Sequence, residues 1–425
     1  MPDRWDTKRH NIRRITCALK LASQHWKADN MPFFIGGGGQ CDVYGFTVPA
    51  GTIAVPPVPS VRRLSFLDVK TAAENAQPRA KICLRIPREH VLPDDAAHMI
   101  SEEVAWRTKI KEAGLGGLQR MIHHDLTNDN AIRSPYIALE WADGKQLKWH
   151  DTMPQKQEDR EKVIKQVVEL TMRLLRISEE GISARAYMQN LVDVQINRIT
   201  NPGSDATAQR LHTKAQQSML HFNAQILSLT PSAAQMLDTH SRLLDKHIIP
   251  ELDTAPHVLI HGDLGEGNII IDNDHNVTLI DLGFMHLEPL QLAAYFPRFL
   301  THEPSSVDED CPFDGRMEAK AWVREWGQQD TEQMAKDRKW YKKCVWTVTQ
   351  HEQDPRAKRL MRLYARVLER EDEVERFWWM QAMQRVDIWL QMERCGWEPR
   401  KGREKKHEEE KKCVVKSKPS GAASK

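Results

Sequence analysis

The chain contains 425 residues, 28% of them charged, and its formal net charge is +2. A chain of this length can bury a substantial core, so we expect one two-lobed unit or two domains. The near-neutral charge does not favour nucleic acid as a partner. No apolar run approaches the roughly 20 residues that a membrane span requires. The sequence does not indicate an oligomeric state.

The seven cysteines are widely spaced and form no Cys-x-x-Cys pair, which argues against both a zinc site and a secreted disulfide framework. A reducing compartment fits this pattern. The N-terminus, MPDRWDTKRHNIRRITCALK, lacks the apolar core of a signal peptide. It is rich in Arg and Lys, as transit peptides are, but Asp3 and Asp6 weaken that interpretation. We therefore expect cytoplasmic residence, with mitochondrial import as the alternative.

Residues 32–48, PFFIGGGGQCDVYGFTV, place four consecutive glycines between an apolar entry and an exit strand. Glycine lets the backbone adopt positive φ and approach a phosphate closely. A flexible loop is the other interpretation of a glycine run. The Pro- and Val-rich residues 50–59 then predict an irregular insertion.

The next segment, RAKICLRIPREH, alternates apolar and polar residues and predicts a strand. Lys81 and Arg85 fall on one face of that strand, because side chains alternate with a period of two. Arg85 could bind phosphates in a bidentate manner, whereas Lys81 would act as a point charge. A solvated charge on an edge strand is the third interpretation.

A helix is predicted from the acidic residues after Pro93 to a C-terminal glycine at Gly114. Within it, Glu102 and Glu103 point about 100° apart, and either could belong to a solvated face. The run SPYIALEWADGKQL predicts a strand that ends in a turn at residues 143–144. Further helices are predicted at 158–177, 205–229, 232–250 and 357–394.

Three apolar runs begin at Val258, Ile269 and Val277 and are separated by polar turns, which predicts three strands. His261, Asp263 and Asn268 follow the first run, and Asp281 follows the third. The turn between the last two strands would fold one polar cluster onto the other. An ordinary hairpin with polar turns is the alternative interpretation.

This polar pattern provides what phosphoryl transfer needs. One carboxylate must orient the attacking hydroxyl, and an amide oxygen with a second carboxylate must hold Mg²⁺ on the nucleotide phosphates. Asp263 is the candidate for the first role, with His261 in the same catalytic loop. Asn268 and Asp281 are the candidate metal ligands.

The spacing His-x-Asp-x4-Asn, followed one hairpin later by Asp-x-Gly, resembles the catalytic and metal-binding loops of the kinase-like fold. HGDLGEGNIIID is similar to the aminoglycoside phosphotransferase and choline kinase branch, and Arg-Ile-Pro at 85–87 to its fungal-type members. Those members usually have Asp-Trp-Glu where this chain has residues 281–283, Asp-Leu-Gly, which restores the kinase-like pattern. Gly265 also departs from the His that is frequent there.

The resemblance implies further site residues. Gly38 and Gly39 would lie in the hairpin that covers the nucleotide. Arg85 would bind the α- and β-phosphates with Glu103 as its partner. The backbone from Glu140 to Ala142 would form the hinge that binds adenine.

The resemblance also implies an α+β, bilobal protein-kinase-like fold with a small N-terminal β-sheet lobe and a larger, mainly helical C-terminal lobe. The implied parts are an N-terminal extension (1–30), a nucleotide-binding N-lobe with the hinge (31–144), a helical C-lobe with the catalytic and metal loops (145–399) and a disordered charged tail (400–425).

The implied activity is the ATP- and Mg²⁺-dependent phosphorylation of a small-molecule hydroxyl, on an amino alcohol, amino sugar or related metabolite. A pseudoenzyme with a scaffolding or mitochondrial-maintenance role is the alternative, although the intact Asp263, Asn268 and Asp281 argue against it. A protein kinase is disfavoured, because no Ala-Pro-Glu signature follows Asp281.

Overall fold

A computed structural model describes residues 4–37, 40–53, 79–89, 91, 93–200, 244–301, 331–370 and 376. The chain divides into two compact units. The first contains residues 1–177 and 259–287, and the second contains residues 178–258 and 288–425. The insertion predicted at 50–59 is described only to residue 53. The helix predicted at 205–229, most of that at 232–250 and the tail at 400–425 lie outside the described residues.

The first unit contains a five-stranded sheet in the order β1-β2-β3-β5-β4, and every neighbouring pair is antiparallel. Its strands are β1 (Phe34–Gly37), β2 (Cys41–Pro49), β3 (Arg79–Pro87), β4 (Met121–Asp125) and β5 (Tyr136–Glu140). Helix α2 (Pro93–Glu112) connects β3 to β4 and is followed by Gly114 at φ +66°. The glycine therefore follows the helix end, where a left-handed residue commonly closes the last turn.

Helices cover both faces of this sheet. Helix α1 (Arg4–Trp26) packs on one face, in a core that includes Leu21, Phe46 and Leu84. Helix α2 packs on the other, through Ile100 against Cys83 and the neighbouring strands. Because strand residues alternate between faces, Arg85 in β3 shares the α2 face with Cys83. The predicted N-terminal extension, residues 1–30, therefore contributes to the core of the sheet.

We expect Leu21→Ala to lower the free energy of unfolding by about 2–5 kcal/mol, because it leaves a cavity between α1 and the sheet. Leu21 is 1% exposed, whereas Ile12 on the same helix is 64% exposed, so Ile12→Ala is the matched control. Denaturant unfolding followed by tryptophan fluorescence measures the difference. Equal effects of the two variants would contradict the packing of α1 on the sheet.

The three strands predicted after Val258 are present as β8 (His257–Ile260), β9 (Ile269–Ile271) and β10 (Val277–Leu279). Strands β9 and β10 form the predicted hairpin, and β6 (Lys145–Gln146) extends it to three strands in the order β10-β9-β6. Strand β8 is not part of that sheet. Helix α3 (Gln157–Leu174) carries a buried stripe that includes Val163, Val167 and Leu170, as its periodicity predicts.

The described part of the second unit is mainly helical. Its helices are α4 (Ala184–Thr200), α5 (Leu290–Ala293), α6 (Glu332–His351) and α7 (Pro355–Leu368). Short strands occur at β7 (Ser178–Glu179), which pairs with the first two residues of β8, and at β11 (His286–Pro289). None of the described helices is long and apolar enough to span a bilayer. The sheet-rich N-terminal region and helical C-terminal region confirm the predicted α+β fold class.

Candidate active site

Arg85 lies at the centre of a buried ionic cluster in the first unit. Its Nη1 is 2.9 Å from Glu103 Oε2, and its Nη2 is 2.7 Å from Asp281 Oδ1. The side chain of Arg85 is 9% exposed and that of Glu103 is 1% exposed. Three residues that are far apart in the sequence, on β3, on α2 and after β10, are thereby brought together.

The structure also separates the alternatives that the sequence left open. Lys81 is exposed and pairs with Asp143 in the turn after β5, away from the cluster. Glu102 is exposed and lies 3.5 Å from His98 on the outer side of α2. Arg85 and Glu103 are therefore the members of each pair that belong to the cluster, in which Arg85 contacts both Glu103 and Asp281.

The cluster stabilises its own charges. Burial by itself would raise the pKa of Glu103, but Arg85 and Arg107 outweigh it and the pKa is lowered. Burial would likewise lower the pKa of Arg85, but Glu103 and Asp281 raise it above its usual value. Both groups therefore remain charged near neutral pH, as a buried ion pair requires.

Gly283 leaves space beside this ion pair. A Cβ atom at Gly283 would lie 3.0 Å from Arg85 Nη2 and 3.3 Å from Glu103 Oε2. The preceding residue, Leu282, is 1% exposed and packs in a core with Ile110 of α2. In the segment Asp-Leu-Gly, the leucine thus packs against α2 and the glycine leaves space for the ion pair.

Asp281 adopts the left-handed backbone conformation, with φ +57° and ψ +61°. Asp281 Oδ1 lies 2.7 Å from Arg85 Nη2 and has no other partner among the described residues. The side chain of Asp281 is 37% exposed, so the carboxylate that faces Arg85 is also open to a second cation from solvent. The donor set of Asp281 and Asn268, one carboxylate and one amide, fits Mg²⁺, which takes few protein ligands and completes its shell with phosphate and water.

No group of three His, Cys, Asp or Glu residues that could hold a metal occurs in the described part of the chain. A structural zinc site is therefore not indicated there. The pair Asn268 and Asp281 would hold a magnesium ion only together with ligands from the nucleotide and solvent.

The catalytic loop begins at His261, which is 3% exposed. Its Nε2 lies 3.0 Å from the carbonyl oxygen of Ile280, and its Nδ1 is 3.4 Å from the backbone nitrogen of Asp263. These contacts assign the proton to Nε2, and burial lowers the pKa of His261 so that the ring is neutral. The catalytic role predicted for His261 stays a prediction. Its contacts link the strand before Asp281 to the backbone of Asp263.

Asp263 and Asn268 are joined directly. Asn268 Nδ2 donates to Asp263 Oδ2 at 2.9 Å and to the Asp263 carbonyl oxygen at 2.8 Å. Because the nitrogen of the amide is used in this way, Oδ1 is the atom with which Asn268 would bind a cation. Gly262 has φ +77°, and a Cβ atom there would lie 2.0 Å from the carbonyl oxygen of Phe284. Only glycine allows the turn that directs Asp263.

The remaining predicted positions concern the nucleotide base and the glycine-rich hairpin. Gly38 and Gly39 lie outside the described residues. Glu140 ends β5, and its carbonyl oxygen accepts a hydrogen bond from Gln119 Nε2 at 3.0 Å. Ala142 follows in the loop to β6 and is partly buried. Their roles in binding adenine remain predictions.

Residues 69–291, more than half of the chain, match the family model described as the phosphotransferase enzyme family. The chain belongs to this family. The recognition of an aminoglycoside phosphotransferase-like chain is confirmed, whereas its assignment to a fungal-type branch stays a prediction. A comparison with curated proteins gave no match.

Three solved structures illustrate what this phosphotransferase is similar to. ADP-bound aminoglycoside phosphotransferase APH(2'')-Ib is 11% identical, with 85% of this chain and 98% of that one covered and a TM-score of 0.40. Spectinomycin phosphotransferase APH(9)-Ia with ADP and spectinomycin is 13% identical, with coverages of 88% and 98% and a TM-score of 0.36. An ethanolamine kinase from Plasmodium vivax is 14% identical, with coverages of 84% and 88% and a TM-score of 0.37.

Sequence reasoning missed two residues of this phosphotransferase that contact the site. Arg107 donates to Glu103 from one turn further along α2, and Gln119 contacts both Arg107 and the carbonyl oxygen of Glu140. The spacing Glu-x-x-x-Arg at 103–107 was the available signal, since residues four apart on a helix are neighbours.

We expect Arg85→Ala and Glu103→Ala each to weaken MgADP binding by about 10- to 100-fold, the range for losing a hydrogen bond to a charged group. The double variant should lose less than the sum of the two effects, because the residues act as a pair. Calorimetric titration measures the affinities. Lys81→Ala is the control, since it removes an exposed cation of the same strand. Strict additivity, or an equal loss in Lys81→Ala, would contradict the pairing.

Proposed function

We propose that this phosphotransferase transfers the γ-phosphoryl group of ATP, bound with Mg²⁺, to the hydroxyl group of a small molecule. The observation that carries the proposal is the position of Arg85, which contacts both Glu103 and Asp281 in the unit that also contains Asp263 and Asn268. A cation for phosphates, a carboxylate suited to a metal and a carboxylate suited to a hydroxyl are thus parts of one unit.

Asp263 is the residue proposed to contact the acceptor. Its carboxylate orients the attacking hydroxyl and takes the proton that the hydroxyl loses as the new oxygen–phosphorus bond forms and the bond to the ADP oxygen breaks. Asn268 holds one oxygen of that carboxylate, and neutral His261 holds the backbone of Asp263. The carboxylate of Asp263 is therefore held in one orientation before an acceptor binds.

The phosphates of the nucleotide are proposed to bind at Arg85, whose fixed fork suits two phosphate oxygens. Asn268 and Asp281 would hold Mg²⁺, which supplies charge neutralisation of the phosphates when bound. Glu103 keeps the guanidinium in place. Charge stabilisation and positioning together account for most of the catalysis in phosphoryl transfer.

Amino alcohols, amino sugars and related metabolites are the proposed acceptors, on the basis of the family and of the HGDLGEGN loop. Cytoplasmic residence remains a prediction from the spacing of the cysteines and the composition of the N-terminus. Neither proposal depends on the geometry of the ionic cluster.

The test is acceptor-dependent release of ADP from MgATP by the wild-type chain, over a panel of amino alcohols, amino sugars and hydroxy amino acids. We expect at least one acceptor to raise the release above the rate without acceptor. Omission of Mg²⁺ should remove the increase. Nucleotide binding without any acceptor-dependent release would overturn the enzymatic proposal and favour the scaffolding alternative.

A further inference from the structure

Arg107 is a second arginine of the ionic cluster, and it is 4% exposed. Its Nε and Nη2 donate to Glu103 Oε1 at 2.9 Å and 2.7 Å, while Arg85 donates to Glu103 Oε2 at 2.9 Å. Each oxygen of the Glu103 carboxylate therefore has its own guanidinium. A hydrogen bond from Nη1 to the carbonyl oxygen of Gln119 anchors Arg107 from the other side.

The burial of Arg107 excludes direct contact with a substrate. A cation removed from water in this way is costly unless a carboxylate and further hydrogen-bond acceptors surround it, and Glu103 and Gln119 provide both. Burial lowers the pKa of Arg107, and the charge of Glu103 opposes that effect. Because Arg107 does not touch a substrate, it can affect the site only through Glu103, the charged group of the cluster that it contacts.

The charges of the cluster show what that effect is. Arg85 and Arg107 are positive, and Glu103 and Asp281 are negative, so the four groups balance. Without Arg107 the net charge of the cluster would be −1, at the place where a polyphosphate is proposed to bind. In a buried site this difference is much larger than it would be in water.

Gln119 connects Arg107 to the strand that precedes Asp281. The backbone nitrogen of Gln119 donates to the carbonyl oxygen of Leu279 at 2.9 Å, and the nitrogen of Leu279 donates to Gly117 at 3.1 Å. Leu279 is two residues before Asp281. The loop that anchors Arg107 is therefore hydrogen-bonded to the strand that delivers the proposed metal ligand.

We propose that Arg107 is a positioning residue whose charge neutralises Glu103, so that the cluster of four groups carries no net negative charge where the phosphates of the nucleotide are proposed to bind. Glu103 can then orient Arg85 without making the site repel a polyphosphate. This inference rests on the proposed function, because it concerns how strongly the same site binds a nucleotide.

The test compares MgADP affinity by calorimetry in four proteins: wild type, Arg107→Met, Arg107→Lys and Lys111→Met. Lys111 is an exposed cation of the same helix, so Lys111→Met removes an equal charge outside the cluster. We expect Arg107→Met to weaken binding about tenfold or more, Arg107→Lys to weaken it less, and Lys111→Met to bind as the wild type does. Thermal unfolding of each variant identifies any that fails to fold.

A fifth protein separates the charge of Arg107 from a merely structural role. In the double variant Arg107→Met, Glu103→Gln the amide at 103 no longer needs a second cation, so we expect the double variant to bind MgADP more tightly than Arg107→Met alone does. Wild-type affinity in Arg107→Met, or no recovery in the double variant, would overturn the inference. Should Arg107→Met not fold, an Arg107→Lys variant that loses as much MgADP affinity as Glu103→Ala would overturn it, because the positive charge at position 107 would have been retained. No MgADP binding by the wild type would instead refute the proposed function, and the inference with it.

Discussion

Asp263→Asn is expected to lower acceptor-dependent turnover by about 10²- to 10⁴-fold, the usual contribution of a general base. The substitution removes the proton acceptor but keeps the shape of the side chain. Asn268 Nδ2 donates to Asp263 Oδ2, and the amide oxygen of the new side chain can accept the same hydrogen bond. MgADP affinity should therefore stay within a few-fold of the wild type. Steady-state release of ADP and calorimetry measure the two quantities.

Asp274→Asn is the matched control for this experiment, because Asp274 is an exposed carboxylate in the turn that follows β9. Its turnover should equal that of the wild type. A parallel loss of MgADP affinity in Asp263→Asn would indicate that Asp263 acts on the nucleotide instead of the acceptor. Unchanged turnover would remove Asp263 from the chemistry altogether.

Asp281→Asn is expected to abolish the part of ADP binding that depends on Mg²⁺, because it replaces the carboxylate whose Oδ1 is buried without a hydrogen bond. Asparagine is a better choice than alanine here. Asp281 adopts φ +57°, a conformation that asparagine tolerates, whereas other side chains add about 1–2 kcal/mol of strain. The variant therefore tests the charge without disturbing the backbone. Titrations of ADP with Mg²⁺ and with a chelator give the two affinities.

A loss of affinity that is equal with and without Mg²⁺ would mean that Asp281 acts on the nucleotide only through Arg85. Arg85→Ala provides the comparison. That variant should weaken binding in both conditions, because Arg85 is proposed to contact the phosphates themselves. Arg85 Nη2 and Asp281 Oδ1 are 2.7 Å apart. If only the Asp281→Asn variant loses its defect when Mg²⁺ is chelated, the two neighbouring residues have different roles, one toward the metal and one toward the phosphates.

The proximity of Asp263 and Asn268 could be predicted from the sequence because it is local. Only four residues lie between them, and a turn between two short strands places them side by side, as the hydrogen bond between them shows. The ionic cluster is different. The pairing of Arg85 with Glu103 came from a family resemblance, because strand periodicity places Lys81 and Arg85 on the same face and cannot choose between them.

The sequence around Arg107 does not distinguish this buried arginine from an exposed one. In helix α2 two pairs of side chains four residues apart are in contact, His98 with Glu102 and Glu103 with Arg107. Such pairs are usually exposed and contribute little. The first pair is exposed, whereas the side chains of the second are 1% and 2% exposed. Burial depends on which face of α2 meets the sheet, and the mixed polarity of this helix does not reveal that from the sequence.

The arginine at position 85 also determines how the protein would behave in surveys of nucleotide-binding proteins by chemical labelling. Acylating nucleotide analogues transfer their reactive group to a nearby primary amine, so they mark proteins that have a lysine at the phosphates. A guanidinium does not lose its proton at physiological pH and is a poor nucleophile, and the negative partners of Arg85 raise its pKa further. Position 85 itself would therefore stay unlabelled by this chemistry, even with a nucleotide bound there as proposed.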